Sequence, residues 1–201
     1  SVLRRRRECS HPRAARSRFL AVQGNDTLLS LFSKQATDMA SGVAISDDVI
    51  AHYELIRVRL QGTDEKERFK LVVMRLSDDL KNIIVDEKNC LKVKDVENEK
   101  DVFKKIISML PPKECRYALY DCKYTNKESV KEDLVFIFSA PDDAPMRSKM
   151  LYASSKNALK AKLPGMKFEW QINDNADKDA SSLVEKLGGS KIVTSLEGKP
   201  V

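Results

Sequence analysis

The sequence predicts one α/β (α+β) domain: a central mixed β-sheet with helices on both faces. Strand-like runs and helical stripes alternate irregularly, with hairpins mixed among longer crossovers, which asks for both antiparallel and parallel pairing. A chain of 201 residues that is 42% hydrophobic can bury one good core. Proline and glycine pairs, such as Pro111-Pro112, Pro164-Gly165 and Gly188-Gly189, punctuate the helical stripes.

Ser46-Asp47-Asp48 reads as an N-cap and an acidic first turn, ahead of an apolar stripe at Val49, Ile50, Tyr53, Ile56 and Leu60. Gln61-Gly62-Thr63 is expected to end that helix. Phe69 to Leu76 reads as a strand, Ser77-Asp78-Asp79 as a turn, and Asn82 to Val85 as the partner strand of a hairpin. Asp101 to Leu110 is helical, with Val102, Ile106 and Leu110 on one side, and Pro111-Pro112 stop it. Cys115 to Cys122 reads as a strand, Lys123 to Glu132 as a polar connection, and Asp133 to Phe138 as a buried strand. A long helix is expected from Pro145, suited to a first turn, to Leu163, where Pro164-Gly165 terminate it. Lys149, Lys156 and Lys160 would share one face of it as a cationic ridge, or as a plain solvated face. Lys167 to Ile172 is the next strand, Ser181 to Leu187 a short helix closed by Gly188-Gly189, and Ile192 to Leu196 a last short strand.

The formal charge of +6 is unevenly placed. Residues 1–38 hold eight Lys/Arg against three Asp/Glu, whereas residues 39–201 hold 28 against 27. The basic character belongs to the extension and is weak evidence for nucleic-acid binding by the domain. The extension reads as a disordered basic leader. It is a mitochondrial transit peptide, a nucleic-acid arm or a non-native leader, and the last is expected because Met39 opens a domain-like segment. The cysteines are Cys9, Cys90, Cys115 and Cys122. The odd separation of Cys115 and Cys122 puts them on opposite faces of a strand, and no dense framework exists, which fits a reducing cytoplasm. Apolar runs of four or five residues are far short of a membrane span.

Catalytic signatures are absent from the sequence. Its two histidines are His11 and His52, and no Cys/His pair has zinc-ligand spacing. No glycine-rich phosphate loop is present. Asp78-Asp79 and Asp142-Asp143 read as turn chemistry. The chain reads as a binding protein without cofactor or metal, not an enzyme.

Several separate segments give that reading a direction. They are CRYALYD (Cys115 to Asp121), DLVFIF (Asp133 to Phe138), SKMLYASSK (Ser148 to Lys156), LGGS (Leu187 to Ser190) and SLEGKP (Ser195 to Pro200). With Met39-Ala40-Ser41-Gly42-Val43, which reads like a family N-terminus, they resemble the ADF/cofilin family of actin-binding proteins. The resemblance runs in order from Met39 to Val201. It implies a single actin-depolymerising-factor homology domain over residues 39–201.

The resemblance implies two actin surfaces. Ser41, Gly42 and Val43 at a flexible N-terminus, with Arg147, Lys149, Met150 and Ser155 on the long helix, would grip a monomer (G-actin) or a filament (F-actin) subunit. Lys131, Glu132, Asp133, Glu185 and Lys186 would meet the neighbouring filament subunit; relatives often carry two lysines where this chain has Val130-Lys131. Arg147, Lys149 and Lys167 would hold a phosphatidylinositol bisphosphate headgroup in competition with actin. Ser41 would be the phosphosite of a LIM-type kinase and its opposing phosphatase. Expected outcomes are a changed filament twist, severing and depolymerisation in the cytoplasmic cytoskeleton. The stretch matching a nuclear signal, Lys66 to Lys70, is broken by Glu67 and Phe69. Phe168 stands where many vertebrate relatives carry a titrating His. The competing reading is a peripheral lipid- or nucleic-acid-binding module working through the Arg-rich leader.

Overall fold

The computed structural model describes residues 42–58 and 64–201. The expectations for residues 1–38, Ser41, Leu60 and the helix stop at Gln61-Gly62-Thr63 lie outside the described residues. Among the described residues, nine strands form one sheet: β1 (Ala44–Ile45), β2 (Phe69–Leu76), β3 (Asn82–Val85), β4 (Leu91–Lys92), β5 (Arg116–Asn126), β6 (Val130–Ser139), β7 (Phe168–Ile172), β8 (Val193–Leu196) and β9 (Lys199–Pro200). The main path is β1-β3-β2-β5-β6-β7; β4 joins β2, β8 joins β5, and β9 joins β8. The β1–β3 and β6–β7 pairs are parallel and the rest antiparallel. Among the described residues there are five helices: α1 (Asp47–Arg57), α2 (Val93–Val96), α3 (Val102–Ser108), α4 (Met146–Lys162) and α5 (Ala180–Lys186).

Strand alternation divides the core in two. Leu71, Val73, Ala118, Tyr120, Cys122, Val135, Ile137 and Trp170 point to one face and pack with Val96 of α2, Phe103 and Ile106 of α3, and Leu183 and Val184 of α5. Val72, Met74, Tyr117, Leu119, Phe136 and Phe138 point to the other and pack with Val49 and Tyr53 of α1 and Tyr152 and Leu159 of α4. Helices cover both faces, as the irregular alternation predicts. Cys115 and Cys122 fall in opposite core layers, so their odd spacing does separate them.

Several boundaries differ from expectation. The Lys123 to Glu132 segment is not a polar connection: β5 continues to Asn126, β6 starts at Val130, and the two pair from Arg116↔Ser139 to Thr125↔Val130. The Asn126 side chain makes the turn by accepting from the Glu128 and Ser129 amides. These polar residues are strand because half their side chains face solvent. Ser46 occupies the N-cap of α1 without a side-chain capping bond. Pro145 is the N-cap of α4 and lies just outside it. At the other end of the chain, Gly188 and Gly189 adopt φ of 125° and 86°, and the Gly189 amide donates to Val184 O at 2.9 Å, closing α5 as its glycines predict.

Glu197 and Gly198 both have positive φ in the two-residue turn between β8 and β9. A left-handed glutamate costs about 1 kcal/mol or more. Here its carboxylate is held in place by the Tyr120 hydroxyl (2.6 Å), the Lys123 amide (2.9 Å) and the Lys70 ammonium (2.9 Å).

Candidate functional site

Helix α4 crosses from β6 to its parallel neighbour β7. Its buried side comes from Tyr152, Ser155 and Leu159, spaced three and four residues apart. Tyr152 locks it to the sheet: its hydroxyl accepts from the Leu76 amide at 2.9 Å, and its carbonyl accepts from the Tyr117 hydroxyl. The opposite side starts with Met146, Arg147 and Met150. Met146 and Met150 are 70% and 67% exposed, one helical turn apart. Arg147 is exposed, and no ion pair holds it among the described residues.

Met150 therefore faces solvent, as an apolar contact residue must. Two expected contacts do not. Ser155 is 1% exposed and donates its hydroxyl to Leu151 O, so in this fold it is a packing residue and leaves the contact surface. Val43 is 3% exposed and packs in the core layer under α1 and α4. It is not part of a flexible terminus, because it leads directly into β1. Gly42, with φ of 69°, is exposed just before it, and Ser41 lies outside the described residues.

The cationic ridge is also revised. Lys149 is only half-exposed and reaches back to Asp142, donating to its carbonyl at 2.9 Å and pairing with its carboxylate at 3.4 Å. Lys156 and Lys160 both close on Glu169 of β7. Burial pushes the Glu169 carboxyl up, but the hydrogen bonds from the two lysines outweigh it and hold it below the usual carboxylate range. These lysines stitch α4 to β7 and do not stand as a free ridge.

Lys131 is exposed on the first residues of β6, and Glu185 and Lys186 are exposed on α5. Glu132 is half-buried, with Lys123 at 3.9 Å. Asp133 is half-buried, and its carboxylate accepts from Tyr124 (2.8 Å) and Lys167 (2.9 Å). Burial raises that carboxyl, and the Lys167 and Tyr124 hydrogen bonds bring it below its ordinary value.

Lys167 immediately precedes β7, beyond the C-terminal end of α4, while Arg147 and Lys149 sit in the first turn of that helix. A 17-residue helix is about 25 Å long. Arg147, Lys149 and Lys167 are therefore not gathered at one point, and the expected single headgroup clamp is corrected to two separate ends. Around the expected nuclear stretch, Lys66 pairs with Glu97, Arg68 with Asp121 and Lys70 with Glu197. Glu67, held by hydrogen bonds from Lys92 and Lys94, has its carboxyl lowered to about 2. The exposure of Met146 escaped sequence reading; its i, i+4 spacing to Met150 at a Pro-started helix was the available signal.

A sheet with helices on both faces, and a long rigid helix offering thioethers and a guanidinium to solvent, define a protein-binding domain. A family model described as cofilin/tropomyosin-type actin-binding protein matches residues 42–188. Among solved structures, the chain is similar to cofilin from Streptomyces griseoflavus at 27% identity and a TM-score of 0.60, covering 73% of this chain and 98% of that one. It is also similar to actin depolymerization factor 2 of Plasmodium berghei (28% identity, TM-score 0.56, covering 67% of this chain and 88% of that one). A third similar structure is ADF/cofilin from Trypanosoma brucei (28% identity, TM-score 0.51, 74% of this chain and 97% of that one). The chain belongs to the cofilin/tropomyosin-type family of actin-binding proteins, which is non-enzymatic.

Proposed function

We propose that this chain binds actin monomers and filaments, and that it severs and depolymerises filaments by altering their twist. Family membership supports actin as partner, and the relative from Plasmodium berghei is named for actin depolymerization. The observation that carries the reading is the start of α4, where Met146, Arg147 and Met150 in the first two turns are presented to solvent on a helix anchored by Tyr152. Arg147 can pair with carboxylates on the partner, and a methionine fills an apolar cleft while adapting its shape.

Lys131, Glu185 and Lys186 support a second contact away from this turn. A protein that engages two neighbouring subunits at once, and binds the altered twist more tightly, shifts the filament toward that twist and weakens it without chemistry. Cytoskeletal location follows from this partner.

Phosphorylation of Ser41 by a LIM-type kinase would place about −1.5 to −2 charge beside this surface and oppose binding to acidic actin, until a phosphatase removes it. Phosphoinositide headgroups would meet Arg147 and Lys149 at one end of α4 and Lys167 at the other, each competing with actin locally.

The test is filament co-sedimentation. Arg147→Glu should weaken binding at least ~tenfold, while unfolding stability changes by less than about 0.5 kcal/mol because the side chain is exposed. Retained binding by this folded variant overturns the assignment. A chain lacking residues 1–38 should still bind actin, whereas lipid or nucleic-acid binding driven by the leader would vanish with it.

A further inference from the structure

Among the described residues, two that are not glycine hold a positive φ: Glu197 at 48° and Leu80 at 60°. The strain at Glu197 is matched by the contacts of its buried carboxylate. Leu80 has no such internal reason. Its side chain is 38% exposed and packs with neither core layer. It stands in the turn between β2 and β3, where glycine or asparagine takes a left-handed backbone at lower cost. Hydrogen bonds fix that turn. The Leu80 amide donates to Ser77 O at 2.8 Å, the Lys81 amide to Asp79 Oδ1 at 3.1 Å, and the Asn82 amide to Ser77 Oγ at 3.0 Å. A strained position that keeps an apolar side chain at the surface points to function rather than to folding. Leu80 lines a cleft of about 430 Å³ together with Pro145 and Ser148 from the start of α4. Leu76 and Tyr152, both buried, line it as well. Its rim is polar: Arg75 pairs with Asp78 at 2.9 Å and Arg116 with Glu114 at 2.7 Å, and both carboxylates are well exposed.

We propose that this cleft is a socket for an apolar side chain of actin, with Leu80 as its contact residue, so that the surface at the start of α4 extends across to the β2–β3 turn. The inference rests on the actin reading above. What carries it is continuity: Ser148, on the cleft, directly follows the exposed Met146 and Arg147. A partner seated on those two residues also covers the cleft beside them. The two parts are complementary in kind. The helix offers projecting side chains to the partner, and the cleft offers a recess to receive one. An apolar recess ringed by charged pairs is the arrangement of a binding hot spot, where the rim keeps water from the centre. Filling it takes the exposed apolar surface of Leu80 out of water, a gain made only in the complex. A polar side chain at the same position would instead have to give up its water there.

The experiment measures actin co-sedimentation and urea unfolding on the full chain and on Leu80→Asn, Leu80→Gly, Leu80→Met and Arg147→Glu. Asparagine and glycine accept the left-handed backbone, so both variants should unfold at the same urea concentration as the unmodified chain or at a higher one. Both should bind actin at least ~fivefold more weakly. Leu80→Met keeps an apolar group at the same strained position and should bind as the unmodified chain does. Affinity that falls while stability holds or rises marks a contact residue, which a merely structural turn would not show. Unchanged binding by Leu80→Asn, with binding lost in Arg147→Glu, overturns the socket and leaves the actin reading in place. Weaker binding accompanied by lower stability in both the asparagine and the glycine variant makes the turn a structural element and also overturns the socket. Failure of the unmodified chain to sediment with actin overturns the actin reading, and the socket with it. Analytical ultracentrifugation of the chain alone reports the competing occupant: self-association abolished by Leu80→Asn would assign the cleft to a second copy of this chain and overturn the socket for actin.

Discussion

In the first two turns of α4, Met146, Arg147 and Met150 face solvent; further along, Lys156 and Lys160 both close on Glu169 of β7. Both ends carry cations at helical spacing, and sequence alone gives them equal standing as binding residues. The difference lies in what stands opposite. The strand beside the later turns supplies a half-buried carboxylate, so those lysines spend their charge inside the molecule. In the loop before α4, Asp142 takes Lys149, and neither it nor Asp143 pairs with Arg147. All three lysines of the ridge are thus paired within the molecule, and Arg147 is the cation left to solvent at the start of the helix.

The anchor between the two ends is the place to strike hardest. Tyr152→Phe removes the buried acceptor of the Leu76 amide, and an orphaned buried donor costs about 1–3 kcal/mol. Urea unfolding should report that loss, and a change near zero would mean the helix is held by packing alone.

The two ends themselves should then separate. Glu169→Gln should reduce stability by about 0.5–1 kcal/mol, since the pairs are partly exposed and screened, and leave actin co-sedimentation unchanged. Arg147→Glu should do the opposite. Lys149→Glu is a poor probe, because it would set a carboxylate against Asp142; Lys149→Ala reports the contact without that repulsion. If Glu169→Gln weakens actin binding as much as Arg147→Glu, the division of the helix into a binding end and a structural end is wrong.

Acid offers a third cut. Asp133 and Glu169 both have folded-state carboxyls below their ordinary values. Their contribution is present above the unfolded carboxylate range, near about pH 4, and is lost as pH falls through the lower folded values. Stability should therefore decline below about pH 4, and Asp133→Asn/Glu169→Gln should flatten the decline. An unchanged slope in the double variant would place the acid-sensitive groups elsewhere.

The smallest expected effect is at neutral pH. Phe168 adjoins Lys167 and cannot titrate, so actin co-sedimentation should change little between about pH 6.5 and 7.5. Phe168→His should introduce a response there. Phe168 packs partly buried on the core, so the variant also loses apolar contact, and its pH profile rather than its absolute activity is the readout. A strong pH response in the unmodified chain that survives mutation of His52 would identify another sensor.

The hairpin of β2 and β3, the helix bounds near Pro145 and Leu163, and both core faces were legible because apolar spacing encodes them directly. β1, β4 and α2 were not: elements of two to four residues carry too little periodicity to stand out from loops. The continuation of β5 through Lys123 and of β6 from Val130 was hidden by polar composition, because a solvated hairpin needs few apolar residues. In the candidate site, Arg147 and Met150 could be placed on the long helix from motif and spacing. The burial of Ser155 was concealed by its polarity, since a serine that satisfies its hydroxyl on its own helix packs as readily as an alanine. Pairing of Lys156 and Lys160 with Glu169 and of Lys167 with Asp133 depends on register across strands, which no local pattern records.

The turn at Glu197-Gly198 also constrains the order in which the sheet is assembled. Glu197 meets Tyr120 across 77 residues, and β8 caps the far end of β5. During synthesis, β2, β5 and β6 can pair while Tyr120, Lys70 and the Lys123 amide still await their shared carboxylate. Contacts of such long sequence separation are slow to close. Until residues 193–200 leave the ribosome, that edge of β5 remains open to water and to mispairing with other chains.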